Sequence, residues 1–469
     1  MKHLIGKVLV LGSCCLLPLA AQADTFTGVA GGGLAFENTQ PTLGLNQLIQ
    51  PVGIYPSRDG GGSGEAVMGM MRTVAWSQDV QSPAAGHLRS IQQNQALFSI
   101  LGTTYGGDGR TNFALPDLAG RITIGMGQGP GLTNRDLGEK LGAASTSMSP
   151  SQMPTHVHAL PASGFTGSSG GSQAIDNMQP SLAMNYVIVT QGVYPSRGGG
   201  TGGQEFLGEI RSFAGNFTPG GYLPADGRLL LISQNTALFS ILGTQYGGDG
   251  RSTFALPDLR GRTIIGTGQG AGLTDRVIGE QAGFEQITLT QNQIPAHVHS
   301  LPPGPAMTAP AGSSQPFDTM QPSLAMSYLI ATQGIFPSQG RALPGETVIG
   351  EVVAFAGNYS PEGNWSFADG RLLPISEYET LFTLIGTTYG GDGQETFALP
   401  DLRGRTIAGV GTNYALLGSL SGQESITLNV SQLVAHVHTA PVPEPESYAM
   451  LLAGLGLLGV MARRRKGQA

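Results

Sequence analysis

Three copies of one tripeptide constrain this chain most strongly: His156-Val157-His158, His297-Val298-His299 and His436-Val437-His438. They hold six of its eight histidines, at intervals of 141 and 139 residues. Histidines two apart on a β-strand point to the same face. Three such strands around a three-fold axis would stack two rings of three imidazole nitrogens, an octahedral donor set. The alternative is three separate surface pairs that bind nothing.

The tripeptides belong to a longer repeat. ALFSILGTTYGGDGRTNFALPDLAGR begins at Ala96, ALFSILGTQYGGDGRSTFALPDLRGR at Ala237 and TLFTLIGTTYGGDGQETFALPDLRGR at Thr380. The apolar run around Leu238, Phe239, Ile241 and Leu242 predicts one short helix that stops at Gly243. Tyr246-Gly247-Gly248-Asp249-Gly250 is turn chemistry, and Thr263-Ile264-Ile265 and Gln286-Ile287-Thr288-Leu289 read as short strands. Each repeat is therefore mainly β with one small helix.

A second repeated segment starts at Gln40 (QPTLGLNQLIQPVGIYPSR), Gln179 (QPSLAMNYVIVTQGVYPSR) and Gln321 (QPSLAMSYLIATQGIFPSQ). Two copies follow a His-Val-His, across residues 159–178 and 300–320. No copy follows the third; the missing one stands at the N-terminus. The expectation is a closed ring in which residues 40–58 complete the third repeat, leaving no edge to cap.

The ends read as targeting segments. Residues 1–23 combine Lys2 and Lys7, an apolar run and Ala21-Gln22-Ala23 before Asp24, the pattern of a secretory signal. Leu11-Gly12-Ser13-Cys14 offers a second, lipobox reading. Both cysteines, Cys14 and Cys15, fall inside the signal, so the body does without disulfides. The chain's formal net charge is −7. The two ends take Lys2, Lys7, Arg463, Arg464, Arg465 and Lys466 but only Glu444 and Glu446, so the body alone is more acidic still. Such a body argues against nucleic acid as partner.

At the C-terminus stand Pro443-Glu444-Pro445, an apolar run from Tyr448 to Ala462, and Arg463-Arg464-Arg465-Lys466. This tripartite tail resembles the PEP-CTERM sorting signal of Gram-negative bacteria. The resemblance implies Pro443, Glu444 and Pro445 as sorting motif, an exosortase as processing partner, and an association with exopolysaccharide and biofilm matrix. It also implies a short transmembrane helix passing transiently through the inner membrane. An ordinary membrane anchor is the alternative, although the run is short of the ~20 residues of a comfortable span.

The body, from about residue 40 to 438, resembles the phage tail collar domain and, within it, the microcystin-dependent protein family. The carrying residues are the ALFS…YGGDG…FALPDL blocks, the His-Val-His copies and the QP segments. The family's order, QP segment after the histidines, supports the permuted closure. The resemblance implies a trimeric arrangement with paired histidines on one axial metal, here supplied by one chain. The ligands would be His156, His158, His297, His299, His436 and His438, around one structural transition-metal ion, Fe(II) or Zn. A filled six-coordinate site has no open position for catalysis. Repeat one departs from the pattern, with Ala84-Ala85-Gly86-His87 and Ala119 where the others carry an aspartate and arginines.

The domain plan is then signal 1–23, N-terminal linker 24–39, collar repeats at 40–160, 179–301 and 321–440, linkers 161–178 and 302–320, and sorting tail 441–469. Gly167-Ser168-Ser169-Gly170-Gly171 matches G-x-S-x-G in a linker setting, not at a strand-to-helix elbow. The Gly-x-Gly pairs lack the setting of a dinucleotide site. Trp76, Trp365, Tyr222 and Phe367 would suit sugar stacking if exposed, against core packing as the commoner fate. The expected function is non-catalytic: an exported surface or matrix protein, structural or binding, with glycans or other surfaces as ligands. The competing expectations are a phage-derived fibre component and, with less support, an extracellular hydrolase.

Overall fold

The computed structural model describes residues 25–57, 67–77, 83–161, 164–195, 205–301, 305–337, 347–361, 363–411, 416–440, 450, 452–459 and 463. The signal segment and Pro443-Glu444-Pro445 lie outside the described residues.

Local chemistry repeats faithfully. Each copy makes one seven-residue helix: Gln95–Leu101, Thr236–Leu242 and Glu379–Ile385. Each buries an i, i+3, i+4 face, such as Leu97, Ile100 and Leu101. Each ends at a glycine of positive φ, 54° at Gly102, 55° at Gly243 and 52° at Gly386, where a side chain would be strained. Under the helices sit Phe113, Phe254 and Phe397, all fully buried.

The QP segments become the longest strands, Thr42–Ile49, Ser181–Val189 and Ser323–Ala331. Their near-continuous apolar character suits strands covered on both faces, and every residue but Asn46 is buried. Each pairs parallel with a short strand on one side: Ser181 opposite Ile122, Ser323 opposite Thr263, and Thr42 opposite Thr406. On the other side each runs antiparallel to the strand that follows it, as Asn46 opposite Val74 and Asn185 opposite Phe213. The expected closure is therefore present, because the N-terminal strand Thr42–Ile49 completes the third unit through Thr406–Gly409. Pairing runs round a ring of seven strands, from Glu209–Phe213 through Ser181–Val189, Ile122–Gly125, Thr406–Gly409, Thr42–Ile49, Met71–Val74 and Glu351–Phe355, then back to the first.

The fold is thus mainly β, three similar units around a pseudo-three-fold axis within one chain. The units touch through Gly125, Gly266 and Gly409. A Cβ there would lie 1.9 Å, 1.9 Å and 2.1 Å from the carbonyl oxygens of Leu259, Leu402 and Leu118. Only glycine allows that approach, which accounts for the Gly-x-Gly pairs.

The segments read as linkers are built into the fold. Phe36–Glu37, Ile175–Asp176 and Phe317–Asp318 each pair with a strand, at Ser145–Thr146, Gln286–Ile287 and Ser425–Ile426 respectively. Phe36, Ile175 and Phe317 gather with Met153, Ile294 and Leu433 in an apolar plug. Sugar stacking by the aromatics is overturned: Trp76, Trp365 and Tyr222 are buried and Phe367 packs against the core, since their rings fill space between units.

Candidate metal centre

Each His-Val-His forms no regular strand but is bridged at its first histidine, and it places its two imidazoles inward and its valine outward. All six histidines are buried, whereas Val157 and Val298 are 36% and 38% exposed. The alternation of an extended segment accounts for this without further assumption. The Nε2 atoms of His156, His297 and His436 form a triangle with every edge 3.2 Å. The second triangle, His158, His299 and His438, has ring centroids 4.8 Å apart. The layers meet edge to edge, with His299 Nε2 also 3.2 Å from His436 Nε2. Ligand atoms of His156, His158, His299, His436 and His438 all lie within 4.8 Å of one another. His297 Nε2 joins them through its 3.2 Å contacts to His156 and His436.

The protons decide what this cage can do. Nδ1 of His156, His297 and His436 lies 2.9 Å from the carbonyl oxygen two residues back, on Pro154, Pro295 and Val434. Nδ1 of His158, His299 and His438 lies 2.8 Å, 2.7 Å and 2.7 Å from the carbonyl oxygens of Ala309, Gly28 and Gly167. A carbonyl can only accept, so each Nδ1 carries the proton and donates. In a neutral imidazole Nε2 is then bare. The Nε2 contacts at 3.2 Å are consequently lone pair against lone pair, not hydrogen bonds. Among the described residues, the buried Nε2 atoms of His158 and His438 have no hydrogen-bond partner.

Burial disfavours relieving this by protonation. It outweighs the carbonyl hydrogen bonds and lowers all six histidines, His158 and His297 to about 4 and His436 to about 3. A metal cation fits the donor set. An octahedron with the observed 3.2 Å edge has a centre-to-corner distance of roughly 2.3 Å, near the ~2.0–2.1 Å of a metal–imidazole bond. Nδ1–H donated to a carbonyl is the usual outer support of a ligating histidine.

Residues 74–123, 208–264 and 350–407 match the family model of the Phage Tail Collar Domain, and residues 441–466 match the PEP-CTERM protein-sorting motif. The chain carries three phage tail collar repeats and a PEP-CTERM sorting signal. Searches of curated proteins and of solved structures found no match. The sorting signal implies export to the cell envelope and processing by an exosortase. Of the tail's described residues, 450, 452–459 and 463 are helical, and no helix among the described residues is long and apolar enough to cross a membrane. The expected short transmembrane helix from Tyr448 to Ala462 falls partly outside the described residues.

Around the metal cage the collar repeats build a narrow ring that sequence reasoning missed. After each of the first two His-Val-His segments the chain turns back: Phe165 bridges Ala159, and Met307 bridges Ser300. These return segments reach the neighbouring repeats through Gly167 N–H to Thr439 O at 2.8 Å and Ala309 N–H to Ala159 O at 2.9 Å. The third return segment is the chain's own N-terminal part, with Thr25 opposite Ala440 and Gly28 N–H donating to Ser300 O at 2.8 Å. The signal for it was the short repeat Phe26-Thr27-Gly28, Phe165-Thr166-Gly167 and Met307-Thr308-Ala309. Gly167 and Ser169 of the G-x-S-x-G match are spent here, with Ser169 bridging His156.

Also unforeseen is a buried ion cluster. Arg211 lies 2.6 Å from Glu351 and also contacts Glu209, while Arg72 lies 3.7 Å from Glu351. Burial pushes the Glu209 carboxyl up to about 8; at Glu351 burial is outweighed by Arg72 and Arg211, which hold it below the usual range. The Tyr-Gly-Gly-Asp-Gly loops are turns, their Asp108, Asp249 and Asp392 carboxylates accepting the N–H groups of residues two to four further on.

Proposed function

We propose that this is an exported surface or extracellular-matrix protein of a Gram-negative bacterium, non-catalytic, whose body is a rigid single-chain scaffold closed by one structural transition-metal ion. His156, His158, His297, His299, His436 and His438 hold the ion, Fe(II) or Zn, through Nε2. The observation that carries this reading is the proton assignment: six buried imidazoles, each committed by a carbonyl to present a bare Nε2 to one point. Zinc commonly takes four ligands, so a six-nitrogen set favours Fe(II) between the two. With every donor on one ion, no position is left for water or substrate, and the ion's contribution is to stability. The PEP-CTERM signal supports delivery to the surface or matrix and exosortase processing near Pro443. A passing contact of the tail with the inner membrane belongs to the same reading, as does a matrix polysaccharide as neighbour.

Native mass spectrometry of the secreted protein tests this. The expected result is a single chain carrying one transition-metal ion, with its C-terminus near residue 443. A metal-free single chain refutes the metal assignment, and a trimer refutes the single-chain scaffold.

A further inference from the structure

We infer that the N-terminal segment Thr25–Ala30 is a detachable clasp that controls how tightly the metal centre is held. The inference rests on the six-histidine reading above and deepens it to the regulation of that site. The segment touches three of the six ligands. Gly28 O accepts from His299 Nδ1 at 2.7 Å, fixing that ring's tautomer. Thr27 Oγ1 accepts the backbone N–H of His438 at 3.0 Å. Ala30 pairs with His436 through N–H to carbonyl bonds of 3.1 Å and 3.0 Å.

The other two sectors have the same contacts with one difference. Thr166 and Thr308 Oγ1 accept from His158 and His299 N–H at 3.0 Å, and Gly167 and Ala309 O accept from His438 and His158 Nδ1. Those groups sit on return segments that follow a His-Val-His in the same stretch of chain. Their local concentration beside the ligands is therefore set by a short turn. The clasp is joined to the cage covalently through the first collar repeat, from its far side, and cleavage at the expected site after Ala23 would place it at the chain terminus. It can leave without unfolding a collar repeat, taking one strand of the ring and the acceptor of His299 with it. Thr25 also lies just beyond the expected cleavage position at Ala23, so signal removal and closure of the metal ring concern the same end of the chain.

The test uses the mature chain from Asp24 and the same chain begun at Gly32, both loaded with Fe(II) and challenged with an excess of a coloured chelator. Losing an outer support of a ligand costs about 10–100-fold in metal affinity. Truncation is expected to speed iron release by at least about tenfold. Protection of the amides of Ser181–Val189 against hydrogen exchange should be unchanged. A synthetic peptide covering residues 24–34, added in trans, should slow release again. Equal release rates from the two chains overturn the clasp while leaving the six-histidine site standing. If truncation loosens the whole fold, failure of the peptide to restore slow release overturns it as well. A full mature chain that takes up no iron and no zinc overturns both readings together.

Discussion

Arg211→Met is the substitution that most directly tests how the three collar repeats are locked together. The guanidinium is 8% exposed in its side chain and bridges Glu351, itself 1% exposed, at 2.6 Å. At an effective dielectric constant of about 20, such a contact is worth ~6 kcal/mol before desolvation. Desolvation consumes much of this, and removing one partner of a buried pair costs about 3–5 kcal/mol, because the other charge is left stranded. Two features place the cost at the low end. Glu351 keeps Arg72 at 3.7 Å. Glu209, already pushed up to about 8, can take up a proton instead of staying charged. The expectation is ~3 kcal/mol. At roughly 0.8 kcal/mol/K of unfolding entropy for a body of about 400 residues, that is a fall of about 4 °C in Tm if the body unfolds as one unit. The sign of the pH dependence follows from Glu209. Its folded pKa lies above its ordinary 4.5, so the native state holds extra protons between 4.5 and about 8, and stability falls as pH rises through that window. Losing Arg211 raises that pKa further and extends the falling window upward. The deficit should therefore be larger at pH 9 than at pH 6. Removing the stranded acid as well, in Arg211→Met with Glu209→Leu, should recover most of the loss. Denaturant titration of the parent, the two single variants and the double variant gives the coupling. Additive effects, with a coupling near zero, would refute the claim that these charges act as one unit.

Replacing His297 and His299 together by alanine should release the metal and lower Tm, whereas exposed His87→Ala should do neither; metal analysis with thermal scanning compares the two. Deleting residues 40–58 should expose Thr406–Gly409 and Leu420–Ser421 to hydrogen exchange, because both pair with Thr42–Ile49. Loss of protection confined to the first repeat would contradict the closure. Glu285 and Glu424 accept from Thr133 and Arg135 and from Thr274 and Arg276, across two of the seams between repeats. Burial raises both carboxyls, but these bonds outweigh it and hold them below the ordinary 4.5. Their stabilisation is complete above that value and is lost as pH falls through the depressed one. Glu285→Ala and Glu424→Ala should therefore be less stable than the parent at pH 7 and converge with it in acid, read by urea titration at each pH.

Much of this was legible because it is written in local chemistry. The helices announce themselves by an apolar i, i+3, i+4 face and a terminal glycine. The permuted QP strand is recognisable as text, and six histidines at matched positions point to one axis. The missed parts have no such signature. The carbonyls of Gly28, Gly167 and Ala309 support ligands with backbone atoms, which any residue possesses. Return segments of two or three paired residues are too short to show a period of two, so Gly- and Ser-rich stretches around Phe165 and Met307 read as linkers. Core packing was the commoner expectation for Trp76 and Trp365, but what covers them is not written beside them in the chain. Their cover comes from other repeats, Trp76 Nε1–H donating to the carbonyl of Ile349 at 2.9 Å.

A single chain can differ from repeat to repeat where a trimer of identical chains cannot, and the differences fall on one seam. Arg72 and Arg211 have Val353 as their counterpart, since the paired strands place Glu209 and Glu351 two residues before Arg211 and Val353. Asn177 N–H donates to Glu285 O and Thr319 N–H to Glu424 O, but the equivalent Asn38 N–H donates to Ala144 O. The third seam therefore lacks the carboxylate that latches the other two. It is also the seam between the third repeat and the first. It is held by the parallel register of Thr42–Ile49 on Thr406–Gly409, the pairing of Met71–Val74 with Glu351–Phe355, the Arg72–Glu351 pair, the Thr25–Ala440 pairing and the shared histidines. Backbone pairing of two short segments is weak by itself, whereas a metal bound by all three repeats resists separation of any one of them. On this argument the metal matters most at the seam that lacks this carboxylate. Metal removal should open the body there first, at residues 25–30 and 436–440, before any loss of order at the Arg135–Glu285 and Arg276–Glu424 seams.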